Sequence, residues 1–249
     1  MEDNNYENNM VFGIHPVQEV MAAGKEIEKV FIQAGMRVPE ITEIANYCRA
    51  NQIPVQYVPI EKMNRLTRKN HQGVVAFICP IEYQNIEKVI PMVYEEGRDP
   101  FVLVLDRVTD VRNFGAIART AYAAGVDAIL VPSKGSALIN GDAMKTSAGA
   151  LSAINVCRAD NLKEALDFLK DSGLRLVGVT EKANDRLWNA DLTGPLCVVM
   201  GSEEDGISPA YQSRLDQQLL IPMPGDIDSL NVSVATGIVC FEVVRQRGR

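Results

Sequence analysis

Several residue types and patterns are scarce in this chain of 249 residues, and each scarcity removes a class of chemistry. There are two histidines, His15 and His71, and neither has a partner carboxylate at a recognisable spacing, so a histidine-centred acid–base or metal site lacks support. The five cysteines, Cys48, Cys79, Cys157, Cys197 and Cys240, are scattered, odd in number and without a C-x-x-C pair. That argues against a disulfide framework and a zinc site, and it suits a reducing cytoplasm. No G-x-G occurs anywhere, which excludes the dinucleotide fingerprint and the usual phosphate-cradling loop. There is no apolar run long enough to span a bilayer, no internal repeat and no low-complexity tract. Bases are outnumbered, 25 against 32 acids, and a net charge of −7 taken alone disfavours a nucleic-acid partner. Trp188 is the only tryptophan and suits a domain or subunit contact.

What is present is a hydrophobic content of 47%, ample for a large core, and an uneven charge distribution. Residues 1–9 carry −3, residues 10–80 carry +2 and residues 81–249 carry −6. The first nine residues, polar and without an apolar segment, read as a disordered tail rather than a secretory signal. Within residues 10–80, Lys62, Arg65, Arg68 and Lys69 crowd together as candidate RNA-phosphate ligands. Alternating strand and helix patterns over 10–80 predict a small α/β domain. Residues 81–98, charged and interrupted by Pro91 and Gly97, read as a linker with a short helical pattern over Ile86 to Tyr94. From 99 to 249, continuous apolar strands such as Phe101–Leu105 and Leu196–Met200 alternate with helices, the pattern of a parallel sheet covered on both faces. Ligands are then expected at the strands' carboxyl ends.

Three segments follow such strands. Ile221-Pro-Met-Pro-Gly-Asp-Ile-Asp-Ser-Leu-Asn-Val-Ser-Val-Ala235 ends a strand, breaks at Pro222, Pro224 and Gly225, and begins a helix after Asn231. The loop between leaves backbone donors and acceptors for a ligand, and Ser229, Asn231 and Ser233 at the helix mouth serve equally as caps. Asp106-Arg-Val-Thr-Asp-Val-Arg-Asn113-Phe-Gly115-Ala-Ile-Ala-Arg119-Thr120 carries Asn113 and Arg119 at the start of a helix, where a cap and a surface arginine are the ordinary reading. Gly201-Ser-Glu203-Glu-Asp-Gly206-Ile-Ser208 offers glycines for close backbone approach and a turn, together with an acidic run that is ordinarily a solvated surface.

Together and in this order, the three segments resemble the motifs of the SpoU/TrmH family of RNA 2′-O-ribose methyltransferases: D-P-x-N-x-G-x-x-x-R-[ST], G-x-E-x-x-G-[IL]-S and I-P-M-x-G-x-x-x-S-L-N-V-S-V-A. Val111 replaces the family's usual proline. Gly13-Ile-His-Pro-Val17 and Asn70-His-Gln-Gly73 look like the ends of the family's substrate-binding domain, a fold related to kink-turn-binding ribosomal proteins. Within the family the layout most resembles enzymes that methylate a guanosine ribose in the peptidyl-transferase loop of 23S rRNA. The resemblance implies a deep trefoil knot in the C-terminal domain, S-adenosylmethionine as cofactor, no metal, and a homodimer whose active sites draw on both subunits. It assigns cofactor contacts to Thr180, Gly201, Ile221, Met223 and Leu230, and catalysis to Arg119 with Asn113, Glu203, Ser229 and Asn231. A tRNA ribose methyltransferase, an rRNA adenosine methyltransferase and a non-catalytic RNA-binding assembly factor remain alternatives.

Overall fold

Residues 9–51 and 53–248 are described by a computed structural model. The tail expected over residues 1–9 lies, apart from Asn9, outside the described residues. The chain divides into two units, one running to Glu82 and including Ile139–Asp142, the other formed by Tyr83–Leu138 and the chain from Ala143 onward.

Period-two alternation organises the first unit. Its elements are β1 (Met10–Phe12), α1 (Ile14–Ala22), β2 (Ile27–Gln33), α2 (Pro39–Ala50), β3 (Val55–Val58), α3 (Ile60–Leu66) and β4 (Val74–Ile78). The sheet runs β1-β4-β2-β3, with only the β2–β3 pair parallel. Val30, Ile32, Val74 and Ala76 point to one face, where Val17, Ile41, Ile44 and Cys48 cover them. The alternate residues Phe31, Val75 and Phe77 pack with Met63 of α3 on the other. The short β1 and α3 have too few residues to show a period in the sequence. The two segments resembling the ends of a binding domain meet: Gly13 N–H donates to Val74 O at 3.1 Å, and Gln72 Oε1 accepts from Ile14 N–H at 3.0 Å. His71 braces this loop, its Nδ1 accepting from Gly73 N–H at 3.0 Å while Nε2 lies 3.1 Å from Asn64 Oδ1.

The second unit begins at Tyr83. Residues 81–98 are not simply a linker, since α4 (Ile86–Glu95) buries Ile86, Val89, Ile90 and Val93 in the core. These residues recur at i, i+3, i+4 and i+7, one helical stripe, and the bend-prone Pro91 faces solvent. Then follow β5 (Phe101–Leu105), α5 (Val111–Ala123), β6 (Ala128–Pro132), α6 (Gly141–Thr146), β7 (Asn155–Ala159), α7 (Leu162–Asp171), β8 (Arg175–Val179), β9 (Asp185–Arg186), β10 (Leu196–Met200), α8 (Pro209–Gln212), β11 (Gln217–Leu220) and α9 (Val232–Gln246). Helix α6 stops at Thr146, ahead of Ala148 and Gly149, which take positive φ.

All pairings in this sheet are parallel, in the order β7-β6-β5-β10-β8-β11-β9. Every residue of β5 and β10 is buried, as strands covered on both faces require. The chain leaves central β8 for the edge at β9, returns to β10 on one side of β8, then inserts β11 on the other. This order is consistent with the implied trefoil knot. It also gathers the ends of β8, β10 and β11 at one rim. All five cysteines are buried, and desolvation pushes Cys48 up to about 11 and Cys157 and Cys240 up to about 12, so none of these three supplies a thiolate. Among the described residues no helix is long and apolar enough to cross a membrane.

Candidate active site

Each of the three segments leaves the sheet at the carboxyl end of a strand and enters a turn or helix. After β5, Asp110 caps α5 by accepting from Asn113 N–H at 2.7 Å, so Asp110, not Asn113, is the cap. Asn113 keeps its side chain free for other partners. Val111 stands at the first helical position, where a proline's fixed φ fits and no backbone donor is needed. Asp110 is extended, at φ −74° and ψ 122°, as a residue before proline must be. Val111→Pro is therefore expected to stabilise the protein by about 0.4–1 kcal/mol, a rise of about 1–4 °C in melting temperature by calorimetry. Gly115, one turn on, is sterically required: a Cβ there would lie 2.8 Å from both Ala143 O and Thr146 Cβ.

After β10, the chain closes a tight loop. Ser202 and Gly206 exchange backbone hydrogen bonds of 3.2 and 3.0 Å, and Gly206 takes φ +69°. Gly201 serves this closure. A Cβ at Gly201 would stand 2.1 Å from Gly206 C and 2.3 Å from Ile207 N, so its bareness admits the chain's own backbone rather than only a ligand.

At the mouth of α9, Asn231 performs both tasks open to it. Its Oδ1 caps the helix by accepting from Ser233 N–H at 3.0 Å. Its Nδ2 donates to Asn113 Oδ1 at 3.1 Å and to Glu203 Oε1 at 2.7 Å. Glu203 Oε1 also accepts from Asn113 Nδ2 at 3.1 Å and from Val232 N–H at 3.2 Å. A single carboxylate oxygen thus joins residues 113, 203 and 231 from all three segments, and its charge sits at the N-terminus of α9, where the helix dipole favours it.

Beside this hub lies a cavity of about 230 Å³ at the ends of β8, β10 and β11. Thr180, Gly201, Ile221, Met223 and Leu230, the five expected cofactor contacts, all line it, as do Glu203 and Ser229. Residues 222–230 make no hydrogen bond with any other described residue, so the loop's backbone groups are uncommitted. Three further carboxylates, Glu181, Glu204 and Asp228, stand in the lining.

Arg119 is the exception. It is exposed on α5, lines neither this cavity nor its neighbour, and its side chain has no hydrogen bond or ion pair among the described residues. Six residues at 100° each turn it about 120° away from Asn113 around the helix. Lys62, Arg65, Arg68 and Lys69 are exposed in the first unit, none engaged by a carboxylate. Lys62 Nζ stands 5.1 Å over the Phe31 ring, and Lys29, not singled out by the sequence, stands 4.9 Å over the same ring. Burial, and then the nearby Lys62 charge, lower the pKa of Lys29. Among the described residues no group of three or more His, Cys, Asp or Glu could hold a metal ion.

Two family models match the chain, the SpoU rRNA Methylase family over residues 100–241 and the RNA 2′-O ribose methyltransferase substrate-binding family over residues 10–84. The chain belongs to the SpoU rRNA methylase family. This SpoU-family chain is 36% identical over 241 residues, 97% of either chain, to a Staphylococcus saprophyticus protein named for the TrmH family of tRNA/rRNA methyltransferases. The crystal structure of an AdoMet-bound rRNA methyltransferase from Sinorhizobium meliloti superposes with a TM-score of 0.61 at 25% identity, over 95% of this chain and 87% of that one. A TrmH/SpoU tRNA-modifying enzyme of A. aeolicus superposes with a TM-score of 0.55 at 31% identity, over 65% of this chain and 84% of that one. The SpoU family uses S-adenosylmethionine, and the family's sheet and small N-terminal α/β domain are those described above.

Two aspartates brace this site, Asp106, which the motifs leave out, and Asp110, which stands at the first motif's leading position. Asp106 is buried and accepts from Ser208 N–H at 2.7 Å, while Asp110 caps α5. An aspartate directly after the wholly apolar Phe101–Leu105 was the available signal for the first.

Proposed function

We propose that the chain transfers a methyl group from S-adenosylmethionine to a ribose 2′-hydroxyl of RNA, a guanosine of 23S rRNA being the favoured target. The observation that carries this reading is the convergence of Asn113, Glu203 and Asn231 on one carboxylate oxygen beside the cavity.

The lining suits the cofactor. Ile221, Met223 and Leu230 offer apolar contact for an adenine, residues 222–230 offer backbone donors and acceptors, and Glu181, Glu204 and Asp228 complement a cationic sulfonium and ammonium. The cofactor supplies an electrophilic methyl on its sulfonium sulfur. The chain's part is to position and to stabilise charge, since a ribose hydroxyl is a weak nucleophile until its proton leaves. Glu203, Asn113 and Asn231 hold the three segments in register, and Ser229 orients the cofactor loop. Arg119 binds the phosphate next to the target ribose through its guanidinium and stabilises the developing alkoxide, with a phosphate oxygen or water taking the proton.

Because Arg119 faces away from the hub in its own chain, we assign it to the site of a second copy in a homodimer. Tyr122 shares its exposed helix face, and on the adjoining α9, Val234 and Phe241 are about half exposed. α5 and α9 pack closely, Thr120 Cγ2 lying 3.6 Å from where a Cβ on Gly237 would be. An exposed apolar face around an unpartnered arginine suits an interface between copies.

Residues 10–80 act as the RNA-binding domain and 99–249 as the catalytic domain, working in the cytoplasm. Exposed Lys62, Arg65, Arg68 and Lys69 contact phosphates there, which local basic character permits despite the acidic total. The rRNA reading is preferred over tRNA because the match to the rRNA enzyme spans nearly the whole chain, whereas that to the tRNA enzyme spans 65% of it. Incubating the protein with labelled cofactor and separate rRNA and tRNA pools tests the substrate class. An RNA fragment carrying a single 2′-deoxy substitution at the modified nucleotide should still bind and accept no methyl. Labelling of that fragment would refute ribose methylation.

A further inference from the structure

The loop that carries Glu203 is held from outside by a residue to which neither the motifs nor the family matches give a role. Arg107 Nη1 reaches Asp205 Oδ2 at 2.8 Å, its Nη2 donates to Gly206 O at 3.0 Å, and its Nε donates to Asp106 Oδ1 at 3.2 Å. Asp106 is itself buried, and its second oxygen accepts from Ser208 N–H at 2.7 Å. The guanidinium and Asp106 therefore pin residues 205, 206 and 208 to the end of β5.

Arg107 does this from a backbone position unusual for its type, with φ +58°, the left-handed region that glycine occupies freely. Strain of this kind persists where surrounding contacts over-determine it, and it concentrates at functional sites. The loop so pinned forms a wall common to two cavities: Ser202, Glu203 and Glu204 line both the cavity described above and a second of about 260 Å³, which Arg107, Asp110 and Asn113 also line. Fixing this wall fixes Glu203 Oε1, on which three donors converge.

We infer that Arg107 is a positioning residue that locks the Glu203 loop in the shape methyl transfer requires, an inference that rests on the function proposed above. It touches no reacting atom and acts through Asp205 and the Gly206 carbonyl.

Arg107→Gly is the decisive variant, because it removes the strap and at the same time relaxes the left-handed backbone, so melting temperature should hold. The expected result is a fall in kcat of about tenfold, with KM for RNA changed less than about twofold, since small misplacements of catalytic groups act on the chemical step. Amide exchange at residues 202–206, measured without RNA or cofactor, should quicken. Arg107→Lys should recover less than half of the lost rate, because an ammonium cannot reproduce a rigid fork across a carboxylate and a carbonyl. Asp205→Asn should lower kcat as well, and the Arg107→Gly/Asp205→Asn pair should cost no more than Arg107→Gly alone. The inference is overturned if Arg107→Gly keeps the parental kcat and exchange pattern, if activity falls only in step with a lowered melting temperature, or if the two costs add. Failure of the parental chain to methylate any RNA would instead sink the proposed function, and the exchange comparison would still decide whether the strap holds the loop.

Discussion

Gly201→Ala is expected to abolish cofactor binding and methyl transfer together. The added Cβ would stand 2.1–2.4 Å from the carbonyl carbon and oxygen of Gly206 and the nitrogen of Ile207, all backbone atoms with no rotamer to yield. Relief requires breaking the paired Ser202–Gly206 hydrogen bonds, and the loop then swings Glu203 away from Asn113, Asn231 and Val232 N–H. Overpacking of this kind costs about 1–3 kcal/mol, a loss of about 2–12 °C in melting temperature. The functional loss should be larger, about a hundredfold or more in activity, because the hub joins all three segments at once. Isothermal titration with S-adenosylmethionine and a scanning-calorimetry trace read both effects. Parental affinity in this variant would show that the loop tolerates displacement and that the hub does not organise the cavity.

For Arg119→Ala the expected loss is confined to chemistry: cofactor affinity close to parental, and turnover on RNA reduced by about a hundred- to a thousandfold, the scale for removing one donor that stabilises developing negative charge. Its exposure and distance from the cavity lining predict that the fold and cofactor site are unaffected. The subunit assignment has its own test. Arg119→Ala and Glu203→Ala homodimers should both be inactive, whereas subunits of the two variants mixed at equal amounts should recover about a quarter of parental activity, since half the dimers are mixed and each contains one intact site. No recovery, with subunit exchange verified by differently tagged chains, would place Arg119 in its own chain's site and refute the assignment. Full activity of Arg119→Ala alone would remove it from the mechanism altogether.

The local spelling of the chain carried more of this site than its burial pattern did. Asn231 followed by helical periodicity predicts a cap, and it is one. Pro222, Pro224 and Gly225 predict a loop with uncommitted backbone, and residues 222–230 form one. The apolar run Phe101–Leu105 predicts a strand buried on both faces. Local cues are weaker elsewhere: the helical pattern over Ile86 to Tyr94 does not by itself say that α4 packs into the core, and the three residues of β1 are too few to reveal a period.

What the chain's order of residues determined by itself was the set of elements and the residue types at their ends, because caps, turns and periodic faces depend on neighbours within one or two turns. Only the tertiary structure decided that residues 113, 203 and 231 share one oxygen, that Gly201 makes room for Gly206 rather than only for a ligand, and that Arg119 turns outward. The shared oxygen depends on where β10 and β11 insert beside β8, a pairing between strands distant in the chain that no short-range preference encodes.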